Sequence, residues 1–434
     1  MVFDNFTQLA TSTERKQVLR ILEAGLNAIH PVNLMKANFA YHPKEDALYI
    51  NRRPISLKPF NRVVVVGAGK LAGPVAEQIE QQMLSRINGG VIIDIVEANL
   101  SKIVSRIGTH PLPSSANVSA TEEIITMLNN VTERDLVIAI IGGGGSSLLC
   151  SPESVTLDEE RKIFTALTEA GASIKETNIV RKHMSRVKGG GLAEIAYPAT
   201  VISLIFSDVP GDDKSLVASG PTVYDQTTVS DAMDILNKYQ ILDRCKMDSC
   251  GLVETPKDKK YFEKVNNILF CSNKVALQAM ADKAADLGLR PKIWSTEFTG
   301  EASELASQIV NSVKRGECLI AGGESVVTLQ KHSSGKPSVT GSGGRNQEMA
   351  LAALLAMKED TVFASLASDG RDNSDVAGGL VDRNNLEMAK RLRIDLQDHL
   401  NRHDEYTVLS DINASILTGI TGSNVSDLVV CLKY

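Results

Sequence analysis

Two cations that each stand beside a glycine-rich turn are the residues of this 434-residue chain best suited to chemistry. Lys70 directly follows Gly67-Ala68-Gly69, and Arg345 directly follows Gly343-Gly344. Backbone N–H groups in such turns can hold phosphate or carboxylate groups, and a neighbouring cation neutralises their charge. We therefore predict that Lys70 and Arg345 act on a transferred phosphoryl group or hold an acceptor carboxylate. The alternative for each is a tight turn with packing glycines and a surface cation.

Four consecutive glycines, at 142–145, form the strongest single motif, and two serines follow them. So many conformationally free residues in a row cost stability, which indicates that the backbone must approach something closely. A phosphate or nucleotide chain is the ligand that this pattern favours, and a flexible loop is the alternative. The residues predicted to contact phosphate in this turn are Gly143, Gly144, Gly145 and Ser146.

The segment 178–191 concentrates basic residues and ends in three glycines, although the chain as a whole is acidic. One interpretation is a solvated basic helix face. The other is a rim that attracts anions, in which Arg181 and Lys188 contact the ligand.

Carboxylates follow the apolar run at 200–206, in Ser207-Asp208 and in the residues up to 213. Carboxylates at a strand end can bind Mg²⁺ together with water or accept a proton from a substrate hydroxyl. We predict Asp208 as the base or metal anchor, with Asp369, which follows the apolar run at 362–366, as a weaker second ligand. Turn formation alone is the alternative.

The elements that must position these residues alternate between strand and helix. Apolar runs at 63–66, 91–96, 136–141 and 200–206 predict strands, separated by stretches with helical spacing. The periodic spacing of apolar residues is lost at 242–265, and the alternation of predicted strands and helices resumes after this segment. We predict an α/β fold of two domains, residues 1–262 as a Rossmann-like αβα sandwich and 263–434 as a second α/β domain, with a cleft between them. A surface loop inside one large domain is the alternative.

Composition excludes several classes of protein. With 46 basic and 52 acidic residues the net charge is −6, which argues against a general nucleic-acid or anionic-membrane binder. The six cysteines form no CxxC pair, and neither a signal peptide nor a membrane-spanning apolar run is evident. We therefore expect a cytoplasmic protein without disulfides or a zinc site, and leave the assembly state open between monomer and homodimer.

The order of the motifs resembles the class II glycerate kinases, which have an amino-terminal glycerate-kinase domain and a carboxyl-terminal MOFRL domain. The resemblance spans nearly the whole chain. The motifs that carry it are GAGK at 67–70, THPLP at 109–113, GGGGSSLL at 142–149, NIVRKHMSRVKGGGLA at 178–193, SDVPGDD at 207–213, SGPT at 219–222, GGE at 322–324, GGRNQE at 343–348, SDGRDNSD at 368–375 and TGITGSN at 418–424.

The resemblance implies Mg²⁺- and ATP-dependent phosphorylation of D-glycerate to 2-phosphoglycerate, with Lys70 and Arg345 central to activity. It extends the predicted substrate contacts to Asn346 and Glu348, and leaves the choice among glycerate and similar hydroxy acids open. The competing hypothesis is an NAD(P)-dependent reductase of hydroxypyruvate or tartronate semialdehyde. It depends on the likeness of the 67–73 turn to a dinucleotide turn, with Asp94 or Glu97 as the ribose-binding acid.

Overall fold

The computed structural model describes residues 2–329, 341–358 and 360–434, and the chain forms two compact units. The parallel-sheet unit comprises Leu34–Ser207 and Asp212–Phe270, and the mixed-sheet unit comprises Met1–Asn33, Asp208–Gly211 and Cys271–Tyr434. Residues before position 34 therefore pack with the carboxyl-terminal sheet, although they precede the predicted boundary by more than 200 positions. The domain boundary at 262/263 itself stays a prediction.

Three sheets are present in the described residues. The first is antiparallel and contains β1 (Phe39–His42), β2 (Ala47–Ile50) and β3 (Arg53–Ser56). The second contains β4 (Arg62–Ala68), β5 (Ile87–Asp94), β6 (Ile103–Ile107), β7 (Asp135–Ile141), β8 (Thr200–Phe206) and β9 (Val265–Cys271), in the order β6-β5-β4-β7-β8-β9. The third contains β10 (Arg290–Glu301), β11 (Glu317–Val326), β12 (Thr361–Ala367), β13 (Gly378–Asp382), β14 (Ser415–Ile416) and β15 (Asp427–Lys433), in the order β10-β11-β15-β12-β13-β14.

Helices connect and cover these strands. They are α1 (Phe6–Leu9), α2 (Thr13–Ile29), α3 (Pro31–Asn38), α4 (Ala72–Met83), α5 (Ser115–Leu128), α6 (Gly145–Leu148), α7 (Leu157–Glu169), α8 (Ile174–Lys182), α9 (Gly191–Ala196), α10 (Val229–Lys238), α11 (Ile241–Cys245), α12 (Asn273–Asp286), α13 (Ala302–Ser312), α14 (Arg345–Ala356), α15 (Arg383–Leu392), α16 (Leu396–Asn401) and α17 (Glu405–Asp411). Within the described ranges, no helix has the length and apolar character needed to cross a membrane.

The second sheet is the parallel sheet that the sequence predicts. Strands β4, β5, β7 and β8 overlap the four predicted apolar runs, although β5 begins four residues before its run and ends two residues short of it. The pairs β4–β5, β4–β7, β5–β6 and β7–β8 are all parallel. Every residue of β7 is buried, as expected for a strand covered on both faces. Because β4 and β7 are neighbours and run in the same direction, the glycine turns that follow them lie side by side.

The third sheet is mixed, and the sequence predicts an α/β domain here without specifying strand direction. Among its described strands only β10 and β11 pair in parallel; β15 pairs antiparallel with both β11 and β12, and β12 and β13 are also antiparallel. The apolar run at 362–366 is confirmed as β12. Apolar runs indicate buried strands but not their direction, so the orientations were not predicted. Helix α14, buried along most of its length, packs into the core of this unit and carries the GGRNQE motif.

Candidate active site

The glycine turns after β4 and β7 form one compact structure in the parallel-sheet unit. The N–H of Lys70 donates to the carbonyl of Gly143 at 3.0 Å. A Cβ on Gly69 would lie 2.8 Å from the Cα of Gly142, and a Cβ on Gly67 would lie 2.6 Å from a carbonyl oxygen of β7. These glycines are therefore required for the close packing of the two turns, and this packing places Lys70 beside the four-glycine turn.

The side chain of Lys70 lies against the tip of this turn. Gly144 has a φ of +78°, and a Cβ there would lie 3.2 Å from Cγ of Lys70 and 3.1 Å from Cδ2 of His110. His110 belongs to the THPLP motif but was not among the predicted site residues. The buried Asn117 ties the two loops together, because its Nδ2 donates to the carbonyl oxygens of Thr109, at 3.0 Å, and Ser147, at 2.9 Å. Three motifs thus converge around Lys70.

A chain of hydrogen bonds joins Ser146 to two further motifs. The Ser146 and Ser219 hydroxyl oxygens are 2.9 Å apart, and Ser219 donates to Oδ1 of Asn178 at 2.7 Å. Since Nδ2 of Asn178 donates to the carbonyl of Ile174, the Asn178 oxygen is an acceptor, so Ser146 donates to Ser219. In this arrangement the hydroxyl proton of Ser146 is already donated to Ser219 and cannot be donated to a phosphate. The predicted phosphate contact of Ser146 therefore requires the hydrogen bond between the two serines to break or reverse its direction. Ser219 and Asn178 lie in two of the motifs quoted from the sequence, SGPT and NIVRKHMSRVKGGGLA, but were not predicted as site residues.

The basic segment is largely buried, which excludes a solvated face for Lys188. Its side chain is fully buried, and Nζ lies 3.7 Å from Oε1 of Glu160. The guanidinium of Arg181 stacks on the ring of Phe164 at 4.5 Å, and burial lowers the pKa of this arginine while Glu160 opposes the shift. Lys188 therefore lies inside the parallel-sheet unit rather than on an exposed rim.

Asp208 and Asp369 both adjoin the segment 421–426 in the mixed-sheet unit. Oδ2 of Asp208 accepts from Nδ2 of Asn424 at 3.3 Å, and the carbonyl of Asp369 accepts from the N–H of Thr421 at 3.2 Å. Both aspartates are partly exposed. The structure thus brings the two predicted metal ligands to one loop, where Asn424 of the TGITGSN motif contacts the SDVPGDD motif.

Arg345 is held by two carboxylates. Its Nε donates to Oδ2 of Asp427 at 2.9 Å, and its Nη1 donates to Oε1 of Glu324 at 2.8 Å. Burial on its own lowers the pKa of Arg345, but Asp427 and Glu324 outweigh it, so the net shift is upward. The Asp427 side chain is fully buried, whereas that of Arg345 is 33% exposed. Asp427 was not predicted, because nothing in the sequence links it to an arginine 82 positions earlier.

The start of helix α14 is fixed by Asp372. Its carboxylate accepts from the backbone N–H groups of Asn346, at 3.2 Å, and Gln347, at 2.8 Å. Asn346 is fully buried, and its Nδ2 donates to Asp427 at 2.8 Å. The predicted substrate contact through Asn346 therefore falls on a side chain inside this network, and Glu348, two residues further on, is 4% exposed. The network holds Arg345 in a defined orientation.

Asp94 occupies the position where the reductase hypothesis places a ribose-binding acid, but its carboxylate faces its own unit. It is 2% exposed and accepts from the N–H groups of Gly73, at 2.9 Å, and Ile95, at 2.6 Å. Burial raises the pKa of Asp94 to about 6, and these hydrogen bonds oppose the shift. Asp94 therefore supports the first turn of α4.

The raised pKa of Asp94 predicts a pH-dependent stability. The folded chain binds this proton more tightly than the unfolded chain, so the free energy of unfolding falls as pH rises from about 4 to about 6. The Asp94→Asn variant lacks this loss. Across this interval we expect its free energy of unfolding to rise relative to that of the unmodified chain by up to about 2–3 kcal/mol, with a corresponding relative rise in its thermal unfolding midpoint. Thermal unfolding measured between pH 4 and 8 tests this, and a difference that does not change with pH contradicts it.

Two families match the chain in succession. Domain of unknown function (DUF4147) matches residues 17–250, and the MOFRL family matches residues 317–427. The two matches lie in the order of the amino-terminal and carboxyl-terminal motifs described above.

Individual relatives cover most of the chain. A D-glycerate 2-kinase from Thermotoga maritima is 35% identical over 395 residues, which span 86% of this chain and 91% of that protein. A putative hydroxypyruvate reductase from Agrobacterium vitis is 36% identical over 390 residues, 86% of this chain and 87% of that protein. The crystal structure of a glycerate kinase from Thermotoga maritima matches with a TM-score of 0.81 at 30% identity, over 96% of this chain and 99% of that one.

Proposed function

This chain belongs to the family that combines the DUF4147 and MOFRL domains and includes the glycerate 2-kinases, and we propose that it transfers the γ-phosphoryl group of ATP to the 2-hydroxyl of D-glycerate. The products are 2-phosphoglycerate and ADP. The observation that carries the proposal is the position of Lys70 against the four-glycine turn. In the described part of the chain, the N–H groups of Gly143 and Gly144 have no acceptor within hydrogen-bond distance. They are available for phosphate oxygens, which the Lys70 ammonium would neutralise.

In the proposed reaction the 2-hydroxyl oxygen of glycerate forms a bond to the γ-phosphorus while the bond to the β,γ-bridging oxygen breaks. Negative charge spreads over the γ-phosphoryl oxygens in the transition state, so catalysis depends on positioning and charge neutralisation. Lys70 and Arg345 are the proposed catalytic cations. Gly67 and Gly69 shape the turn that carries Lys70. The remaining predicted substrate contacts, which stay predictions, are Gly143, Gly144, Gly145, Ser146, Arg181, Lys188, Asn346 and Glu348.

We propose Asp208 and Asp369 as the ligands of Mg²⁺. Carboxylate oxygens together with water are the ligands that Mg²⁺ prefers, and both side chains are partly exposed beside one loop, so the donor set fits. When bound, the ion neutralises charge on the phosphate oxygens of ATP. Asp208 is also the proposed acceptor of the proton that the 2-hydroxyl of glycerate releases.

The reductase alternative is not retained. Among the similar proteins it is supported only by the name of a relative, and Asp94, one of the two acids proposed for the ribose beside Glu97, is buried against the first turn of α4. The experiment that tests the proposed function measures ADP release with ATP, Mg²⁺ and a panel of hydroxy acids, and identifies the product by NMR. We expect release that depends on D-glycerate, with phosphate on the 2-oxygen. Oxidation of NADH or NADPH by hydroxypyruvate without any ADP release would overturn the proposal.

The tip of the four-glycine turn offers a matched test. In Gly144→Ala the new Cβ would lie 3.1 Å from His110 and 3.2 Å from Lys70, so we expect kcat/KM for ATP to fall about 10-fold or more. Gly171→Ala is the control, because Gly171 has a φ of +76° against +78° at Gly144 but no atom within 4 Å of the added Cβ. Both variants have similar backbone strain. Equal kcat/KM in the two folded variants would remove the turn from the ATP site.

We also propose a cytoplasmic location, which the thiol state of the six cysteines supports because disulfides are rare in that compartment. A homodimer is an open prediction that light scattering on the purified chain would measure.

A further inference from the structure

One histidine and two glutamates form a compact cluster in the mixed-sheet unit. Glu348 lies in the first turn of α14, His403 lies between α16 and α17, and Glu405 is the first residue of α17. One ligand atom from each side chain lies within 4.8 Å of the other two. The proposed phosphoryl transfer uses neither His403 nor Glu405.

The cluster buries a carboxylate oxygen that none of the described residues satisfies. Glu405 is 1% exposed, and its Oε1 has no hydrogen-bond partner among the described residues. Glu348 is 4% exposed, and its Oε2 lies 2.9 Å from Nδ1 of His403. A buried carboxylate without a partner is costly, and a cation held between these groups would remove that cost.

The spacing and the ligand types fit a transition-metal ion. Three ligand atoms at about 2.1 Å from one ion are separated from each other by about 3.0–3.5 Å, close to the 2.9 Å between Nδ1 of His403 and Oε2 of Glu348. The ligand atoms of the three residues all lie within 4.8 Å of one another, so a small movement of the Glu405 side chain would bring its oxygen to the metal-binding distance. Imidazole with two carboxylates favours Zn²⁺ and similar ions over Ca²⁺, which takes six or more oxygen ligands.

We propose that Glu348, His403 and Glu405 bind one divalent transition-metal ion, with Zn²⁺ as the type ion. This goes beyond the proposed kinase activity and does not depend on it. The ion would join the first turn of α14 to the loop that begins α17.

The backbone around the cluster already connects these two segments. Ser342 accepts from the N–H of Tyr406 at 2.9 Å, and the N–H of Ser342 donates to Oδ1 of Asp404 at 3.2 Å. A Cβ on Gly343 would lie 2.1 Å from Oε2 of Glu405, so only glycine at this position leaves room for the carboxylate. The ion would therefore stabilise the turn from which α14 and Arg345 begin.

The test uses the full chain, stripped with EDTA, equilibrated with Zn²⁺ without ATP or glycerate, and desalted. We expect one Zn²⁺ per chain by mass spectrometry of the metal content, and a Tm higher by about 5 °C or more when free Zn²⁺ is about 100 times its Kd. Co²⁺ in place of Zn²⁺ should give visible absorption typical of a coordinated ion. Because no nucleotide is present, failure of the kinase proposal would leave these results unaffected.

Variants separate this site from adventitious binding. Glu405→Gln keeps the side-chain shape but removes the charge, and we expect it to lose both the bound Zn²⁺ and the Tm increase. His403→Asn is a second variant that preserves the backbone, because asparagine tolerates the φ of +54° at His403. The control is His399→Asn, which removes a nearby histidine that pairs with Asp404 and should retain Zn²⁺. Absence of bound Zn²⁺ in the unmodified chain, or undiminished binding in both Glu405→Gln and His403→Asn, would overturn the proposal.

Discussion

The Lys70→Ala variant is expected to lose about 10²- to 10³-fold in kcat, while its thermal unfolding midpoint stays close to that of the unmodified chain. The Lys70 side chain packs against Gly144, at the tip of the turn, where its ammonium is proposed to neutralise the γ-phosphoryl oxygens. Charge that develops in the transition state is stabilised mainly by such fixed groups, so the loss should fall on kcat more than on KM. Initial rates and thermal unfolding on the same preparation provide the measurement.

Two further variants sharpen this result. Lys70→Arg keeps the charge but replaces a compact ammonium by a planar fork in a turn already crowded by Gly144 and His110, so we expect it to remain well below normal turnover. Lys58→Ala is the control, because Lys58 is an exposed lysine of the same unit. Near-normal kcat in Lys70→Ala, with ATP-dependent activity confirmed in the unmodified chain, would remove Lys70 from the catalytic role and leave the kinase activity intact.

The parallel sheet and its glycine turns could be predicted because the information is local. The predicted strand at 200–206 has the bounds of β8, and the strand, glycine turn and helix around Lys70 follow from residues within one short segment. The orientation of β15 could not be predicted in this way. Its apolar residues indicate a buried strand, but its place between β11 and β12 depends on pairing with residues 60 to 114 positions earlier in the sequence.

Partners that are distant in sequence were missed for the same reason. Arg345 was predicted from its glycine turn, but Asp427, which fixes it, lies at the start of β15 and has no distinguishing motif. The burial of Lys188 beside Glu160 is a similar case, because a run of basic residues is usually solvated and only the packing of α7 against this segment reveals otherwise. Local motifs therefore identify residue types suited to chemistry, and tertiary structure decides their protonation, orientation and access.

For Arg345→Ala we expect a fall in kcat of about 10³-fold or more, the largest effect of any substitution considered, if this arginine acts on the charge of the transferring group. Its Nε and Nη1 are used by Asp427 and Glu324, whereas Nη2 has no acceptor within hydrogen-bond distance in the described residues. One edge of a firmly oriented guanidinium is thus available to donate to an anionic substrate group. Arg345→Lys retains the charge but not the fork, and should recover only a small part of the lost turnover.

A structural loss must be separated from a catalytic one, because Arg345→Ala leaves the buried Asp427 without its ion-pair partner. Arg62→Ala is the matched control. Arg62 is 44% exposed and pairs with Asp135, which is 1% exposed, much as Arg345 at 33% pairs with the fully buried Asp427. Arg62 begins β4, at the end of the parallel sheet opposite the glycine turns. Both alanine variants should therefore lower Tm by similar amounts, and only Arg345→Ala should lower kcat. A comparable fall in kcat for both variants, in step with their Tm, would reduce Arg345 to a structural residue that holds α14 against β15.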